Sequence, residues 1–303
     1  MLTAGVPDGP AVTYTPDVMA NAFTVNDLRT ARKTGRRVAM LTCYDYTTAR
    51  LLEAAGVQIL LVGDSASSVI LGHSSTLPIT LDLLIELTAA VKRGAPNALV
   101  MGDLPFGSYQ SGGAAAIDNA CEMIKRSQCD AVKIEVSEYH LDIVKALSQA
   151  GVAVVAHLGL RPQAVGLMGG YKFQGRTVDE ANHIVKQAMS FAHAGAAAIL
   201  LEAVPAEVGQ KVVDETDVPV IGCGAGPACH AHVVVLQDLL RQTPRQPKFV
   251  PQIELSASLT ESAGRYVKMV ESGEYPAAAH GYAMPDDQRR LFLRDTHGVD
   301  RTR

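Results

Sequence analysis

Six residues in this chain sit where short apolar runs give way to polar sequence: Asp64, Asp103, Lys133, Glu135, His157 and Glu202. If the runs are neighbouring strands, about 4.8 Å apart, two of these carboxylates would repel each other unless a cation lay between them. Asp64 and Asp103 therefore suggest a hard divalent ion such as Mg²⁺, which takes one or two carboxylates plus waters and substrate oxygens. Lys133 and Glu135 share a side of their strand, because side chains repeat every second residue. Lys133 could neutralise a substrate carboxylate, with Glu135 serving the metal or its waters. Glu202 follows Ile199-Leu200-Leu201 and precedes Ala203-Val204-Pro205. A carboxylate at the end of so apolar a run should have a raised pKa, which suits a proton-abstracting base. His157 could bind a substrate oxygen or hold a tautomer for proton transfer.

Structural alternatives stand beside these roles. Asp64 could cap a loop, and Asp103 could shape the turn before Pro105. Lys133 and Glu135 could form a buried ion pair, and His157 could be hydrogen-bonded scaffolding. Three other patterns carry less. Gly222-x-Gly224-x-Gly226 follows a predicted strand and precedes a predicted helix, so it could cradle a phosphate or carboxylate, but close turn packing would need the same glycines. Cys229-His230-Ala231-His232 lacks a matching second ligand pair and is expected to decorate a helix start. Glu180-x-x-His183 has di-metal spacing but falls on the solvated face of an outer helix.

The elements that would position these groups alternate regularly. Strands are predicted over Val38–Tyr44, Ile59–Gly63, Leu99–Gly102, Ala131–Ile134, Val152–Ala156, Ala198–Leu201, Val218–Gly222 and Lys248–Val250. Helices are predicted over residues 47–55, 80–93, 112–127, 138–149, 177–194, 206–215, 228–241 and 255–272. Continuous apolar runs indicate parallel strands buried on both faces. Eight strands, each followed by a helix, predict a single-domain (β/α)8 TIM barrel, whose active site lies at the carboxyl ends of its strands. The rival is a doubly wound open sheet. The expected division is an N-terminal arm over 1–24, the barrel over 25–275 and a polar C-terminal tail over 276–303.

Composition narrows the functions. The 303 residues are 48% hydrophobic with a net charge of -4, so nothing suggests nucleic-acid binding. No stretch reaches the length of a membrane span, and the N-terminus lacks the features of a secretory signal. The five cysteines include no C-x-x-C pair, which predicts free thiols in the cytoplasm.

The motifs containing these residues resemble those of the ketopantoate hydroxymethyltransferase family, within the phosphoenolpyruvate mutase and isocitrate lyase superfamily. The likeness runs through Thr42–Arg50 (TCYDYTTAR), Leu61–Ser65 (LVGDS), Gly72–Thr80 (GHSSTLPIT), Gly102–Phe106 (GDLPF) and Val132–Glu135 (VKIE). It continues through His157–Gln163 (HLGLRPQ), Gly169–Arg176 (GGYKFQGR), Leu200–Pro205 (LLEAVP), Val220–Gly226 (VIGCGAG) and Pro247–Val250 (PKFV). The resemblance implies Mg²⁺-dependent hydroxymethyl transfer from 5,10-methylenetetrahydrofolate to 3-methyl-2-oxobutanoate, in pantothenate biosynthesis, by a homo-oligomer built as a decamer. It implies metal ligation by Asp64 and Asp103 with Glu135 nearby, substrate contacts from Ser65 and Lys133, and Glu202 as base. The chain departs from the family pattern at Ala66-Ser67-Ser68, Val136-Ser137, Arg161, Gly166 and Cys229–His232. Three other outcomes are weighed: the same chemistry on a different 2-oxo acid or with free formaldehyde, a carbon–carbon lyase, and an inactive barrel acting as an assembly subunit.

Overall fold

The computed structural model describes residues 22–256 and 258–294. The predicted arm therefore lies almost wholly outside the described residues, as does the end of the tail.

Eight parallel strands close a barrel in chain order: β1 Val38–Thr42, β2 Ile59–Val62, β3 Leu99–Asp103, β4 Ala131–Glu135, β5 Val154–Gly159, β6 Ala198–Glu202, β7 Val220–Cys223 and β8 Ala231–Val234. Nearly every strand residue is buried, as apolar runs covered on both faces require. The closed barrel excludes the open-sheet rival. Register sets the rim: Asp103 is level with Lys133, Glu135 with His157, and Glu202 with both Gly159 and Cys223. Gly159 has φ +89°, and a Cβ there would collide with the Glu202 carbonyl, so its lack of a side chain lets β5 and β6 close at this level.

The outer ring consists of α2 Tyr46–Ala54, α4 Leu81–Gly94, α5 Gly113–Ser127, α6 Leu141–Gln149, α8 Val178–His193, α9 Ala206–Glu215 and α11 Leu259–Ser272. The one-turn helices α3 Ala66–Val69, α7 Val165–Met168 and α10 Leu236–Leu239 sit in connections at the carboxyl side of the strands. A helix that the strand pattern leaves unassigned, α1 Val25–Thr34, precedes the barrel with a capping box between Thr24 and Asp27. It lies against the amino ends of the strands: Arg32 donates to the Thr216 carbonyl, and Phe23 N–H to that of Asn97.

Two predicted elements are corrected. Residues 228–241 are not a helix, because they contain β8, and Lys248–Val250 is a turn rather than a strand. The run Val233-Val234-Val235 is β-branched and short, which favours a strand, and β7 reaches β8 through a loop with no crossover helix. Phe249 and Val250 are apolar because they fold back over the barrel mouth, where Phe249 covers Gly224.

Beyond Tyr275 the chain runs over the outside of the barrel to a helix, α12 Asp286–Arg294, that starts with charged residues and ends on Leu291-Phe292-Leu293-Arg294, of which Phe292 is fully buried. Gln288 accepts from Val178 N–H, and Arg289 pairs with Glu207, so this helix is fastened to α8 and α9. No helix among the described residues is long and apolar enough to cross a membrane.

Candidate active site at the carboxyl-terminal rim

All seven site residues named from sequence line one cavity of about 160 Å³: Asp64, Ser65, Asp103, Lys133, Glu135, His157 and Glu202. The strand register brings them together from five consecutive strands, β2 to β6.

Lys133 Nζ lies 2.6 Å from Asp103 Oδ2, which also accepts the Asp64 backbone N–H at 3.0 Å. That oxygen is saturated, whereas Asp103 Oδ1 and Asp64 Oδ2 are buried with no protein partner. Burial pushes the Asp103 carboxyl up to about 7, against the pull of the Lys133 ammonium. Burial alone would lower Lys133, but Asp103, Asp64 and Glu135 together outweigh it and hold the ammonium above its ordinary value.

Glu135 Oε2 accepts the Gln163 N–H at 2.9 Å, while its Oε1 has no partner. Burial raises this carboxyl well above its usual range, again opposed by Lys133. Tyr109 braces it from behind, its hydroxyl accepting from Glu135 N–H at 3.2 Å and donating to Gln163 Oε1 at 2.7 Å. Ser65 Oγ shares a hydrogen bond with Tyr44 OH at 2.8 Å.

His157 stands between two carboxylates, with Nε2 3.2 Å from Glu202 Oε2 and Nδ1 3.7 Å from Glu135 Oε1. Burial, reinforced by Lys133, holds the ring well below its ordinary pKa, so it is neutral near pH 7, and neither ring nitrogen has a hydrogen-bond partner in the protein. Glu202 is pushed up to about 7 by burial, with Lys133 opposing, and its side chain is 20% exposed to the cavity mouth. A carboxylate of that pKa is a stronger base than an ordinary Glu and is still largely ionised just above neutrality.

The unpartnered oxygens of Asp64, Asp103 and Glu135 suit a hard cation better than a closed hydrogen-bond network would. Among the described residues no three His, Cys, Asp or Glu side chains converge closely enough to hold a metal on their own. Mg²⁺ takes one or two carboxylates and completes its shell with waters and substrate oxygens, a demand that the free oxygens of Asp64 and Asp103 fit; the free Oε1 of Glu135 is the third such oxygen.

Tyr44, Tyr109, Gln163 and Phe249 also build the site, though the strand-end search does not single them out. Tyr44 ends a predicted strand and Gln163 lies in a matching motif, so both had a signal; Tyr109 sits in a loop with none. The cluster at Cys229–His232 does not start a helix. His230 Nδ1 accepts from Val220 N–H at 2.9 Å, and His232 is buried on β8 against Tyr275. No helix follows Gly226, which removes the helix end that a phosphate cradle would need. On α8, Glu180 caps the helix start by accepting from Arg176 N–H, while His183 is exposed beside Glu138.

Known proteins resemble this chain in sequence and in fold. Residues 22–278 match the family model described as ketopantoate hydroxymethyltransferase. A 3-methyl-2-oxobutanoate hydroxymethyltransferase from Thermobifida fusca is 44% identical over 261 residues, covering 86% of this chain and 93% of that protein. One from Heliobacterium modesticaldum is 40% identical over 276 residues, covering 90% of this chain and all of that protein. Among solved structures, 2,3-dimethylmalate lyase, of the PEP mutase/isocitrate lyase superfamily, aligns with TM-score 0.53 at 17% identity, covering 91% and 93% of the two chains. A phosphonopyruvate hydrolase bound to oxalate and Mg²⁺ aligns with TM-score 0.52 at 14% identity, covering 84% of this chain and all of that one. At these identities the structural likeness shows a shared fold.

Proposed function

This chain belongs to the ketopantoate hydroxymethyltransferase family, and from that premise we propose that it adds a one-carbon unit to C3 of 3-methyl-2-oxobutanoate, giving ketopantoate. The observation that carries the proposal is Glu202: a carboxylate of raised pKa in the same cavity as Lys133 and the free oxygens of Asp64 and Asp103.

The chain's own groups divide the work. Lys133 and Ser65 hold the carboxylate of the oxo acid. Glu202 removes the proton from C3, and His157 orients its carboxylate. A divalent cation bound by Asp64 and Asp103, with Glu135 holding its waters, would supply Lewis-acid polarisation of the oxo acid. The C3 electron pair released to the enolate then forms the bond to a carbon at the oxidation level of formaldehyde. Glu202 returns its proton to the oxygen of that unit, which becomes the new hydroxyl.

5,10-Methylenetetrahydrofolate with water delivers that carbon in this proposal. A depression of about 460 Å³, lined by Phe106, Tyr139, Arg161 and Leu167 among others, shares Glu135 with the cavity and offers a flat, largely apolar bed for the donor. Assembly as a homo-oligomer in the cytoplasm belongs to the same proposal, and sedimentation would test its assembly part. Turnover of 3-methyl-2-oxobutanoate to ketopantoate with methylenetetrahydrofolate and Mg²⁺ tests the whole. Turnover of another 2-oxo acid instead would favour a changed substrate, a reading motivated by the departures from the family pattern at Ala66-Ser67-Ser68, Val136-Ser137, Arg161, Gly166 and Cys229–His232.

A further inference from the structure

The loop between the second strand and α4 is exposed at Ser74, Leu77 and Pro78, yet Thr76 within it is only 6% exposed. The turn is pinned ahead of Thr76 by Ser67, whose hydroxyl donates to the Ser75 carbonyl at 2.8 Å and whose own carbonyl accepts His73 N–H at 3.0 Å. It is pinned after Thr76 by buried Ile79 and by Thr80, which caps α4 through Leu83 N–H. The loop thus places Thr76 on the wall of the cavity lined by Asp64, Lys133 and Glu202. Thr76 Oγ1 is buried and has no hydrogen-bond partner in the protein.

A buried hydroxyl without a partner destabilises the fold, and valine would fill the same space without that penalty. Threonine there acts against stability, which makes sense if its partner arrives with the ligand. The cavity already has acceptors on its walls and is short of donors, whereas a 2-oxo acid brings a carboxylate. We infer that Thr76 is a substrate-binding residue whose hydroxyl donates to the carboxylate of the 2-oxo acid; this rests on the proposed function. The carboxylate is charged in ground state and transition state alike, so the contact contributes to binding rather than to the chemical step.

The test is Thr76→Val, with Thr76→Ser as the variant that keeps the hydroxyl. Titration of 3-methyl-2-oxobutanoate in the presence of Mg²⁺, without the one-carbon donor, reads binding alone. The inference predicts a Kd raised about 10- to 100-fold in Thr76→Val, with kcat within about threefold of the parent, and Kd largely restored in Thr76→Ser. It also predicts that ligand-free Thr76→Val melts at the same temperature as the parent or higher, the opposite of what a structural role would give. An unchanged Kd, or a melting temperature falling with the affinity, overturns it. A loss confined to kcat overturns the carboxylate assignment. Failure of the parent to bind this oxo acid would refute the proposed function itself, which separates the two.

Discussion

Lys133 Nζ lies 2.6 Å from Oδ2 of Asp103, with 5% of the lysine side chain and none of the aspartate exposed. A charge pair so buried is held in place by mutual need. Removing one partner strands the other in a poorly solvated site, at a cost of about 3–5 kcal/mol. Lys133→Met should therefore lose about that much stability in urea unfolding. Lys133→Met with Asp103→Asn should recover much of it, because the two substitutions are coupled. A single variant within about 1 kcal/mol of the parent would contradict the pairing.

Glu202 should trade stability for basicity. Its folded carboxyl titrates at about 7 instead of its ordinary 4.5, so the folded protein holds this proton more tightly than the unfolded chain does. The resulting contribution to stability is fully present below about 4.5 and is lost as pH rises through about 7. Glutamine cannot ionise. Glu202→Gln is thus expected to be more stable than the parent at pH 8 by about 1–3 kcal/mol, with the gap closing on acidification. Denaturation curves at the two ends of that window check the sign; a gap that widens on acidification contradicts it.

The free carboxylate oxygens of Asp64 and Asp103 predict that Mg²⁺ raises the melting temperature of the parent by mass action. Asp64→Asn and Asp103→Asn should each abolish that rise, and Glu135→Gln should reduce it less. Equal losses from all three would make Glu135 a direct ligand.

His157 is held neutral by its burial. Nitrogen NMR of the imidazole should show one protonated and one bare nitrogen, without the titration that an unperturbed histidine shows near 6.5. A midpoint near that ordinary value would place a charged ring between Glu135 and Glu202.

Most of the barrel was legible because parallel strands buried on both faces leave unbroken apolar runs such as Ile59–Val62 and Ala198–Glu202. The eighth strand escaped because its first half, Ala231-His232, lacks that signature and because a helix was expected between every pair of strands. The final helix was hidden for a different reason: its apolar residues are confined to Leu291-Phe292-Leu293, too short a run to show a helical period. Site residues at strand ends could be found from sequence because position along a strand fixes position on the rim. Tyr109 gave no such signal, because it braces Glu135 from a loop whose path no periodicity encodes; Gln163 and Thr76 lie in the matching motifs HLGLRPQ and GHSSTLPIT but at no strand end.

The most direct test of the account is exchange of the C3 proton of 3-methyl-2-oxobutanoate in D2O, followed by proton NMR with Mg²⁺ and no one-carbon donor. The parent should exchange it in a metal-dependent way, with a rate that rises with pH to a plateau above about 7, where Glu202 is ionised. Glu202→Gln should fall by orders of magnitude while keeping its fold. Exchange at near-parental rates in Glu202→Gln would contradict the assignment of Glu202 as the base.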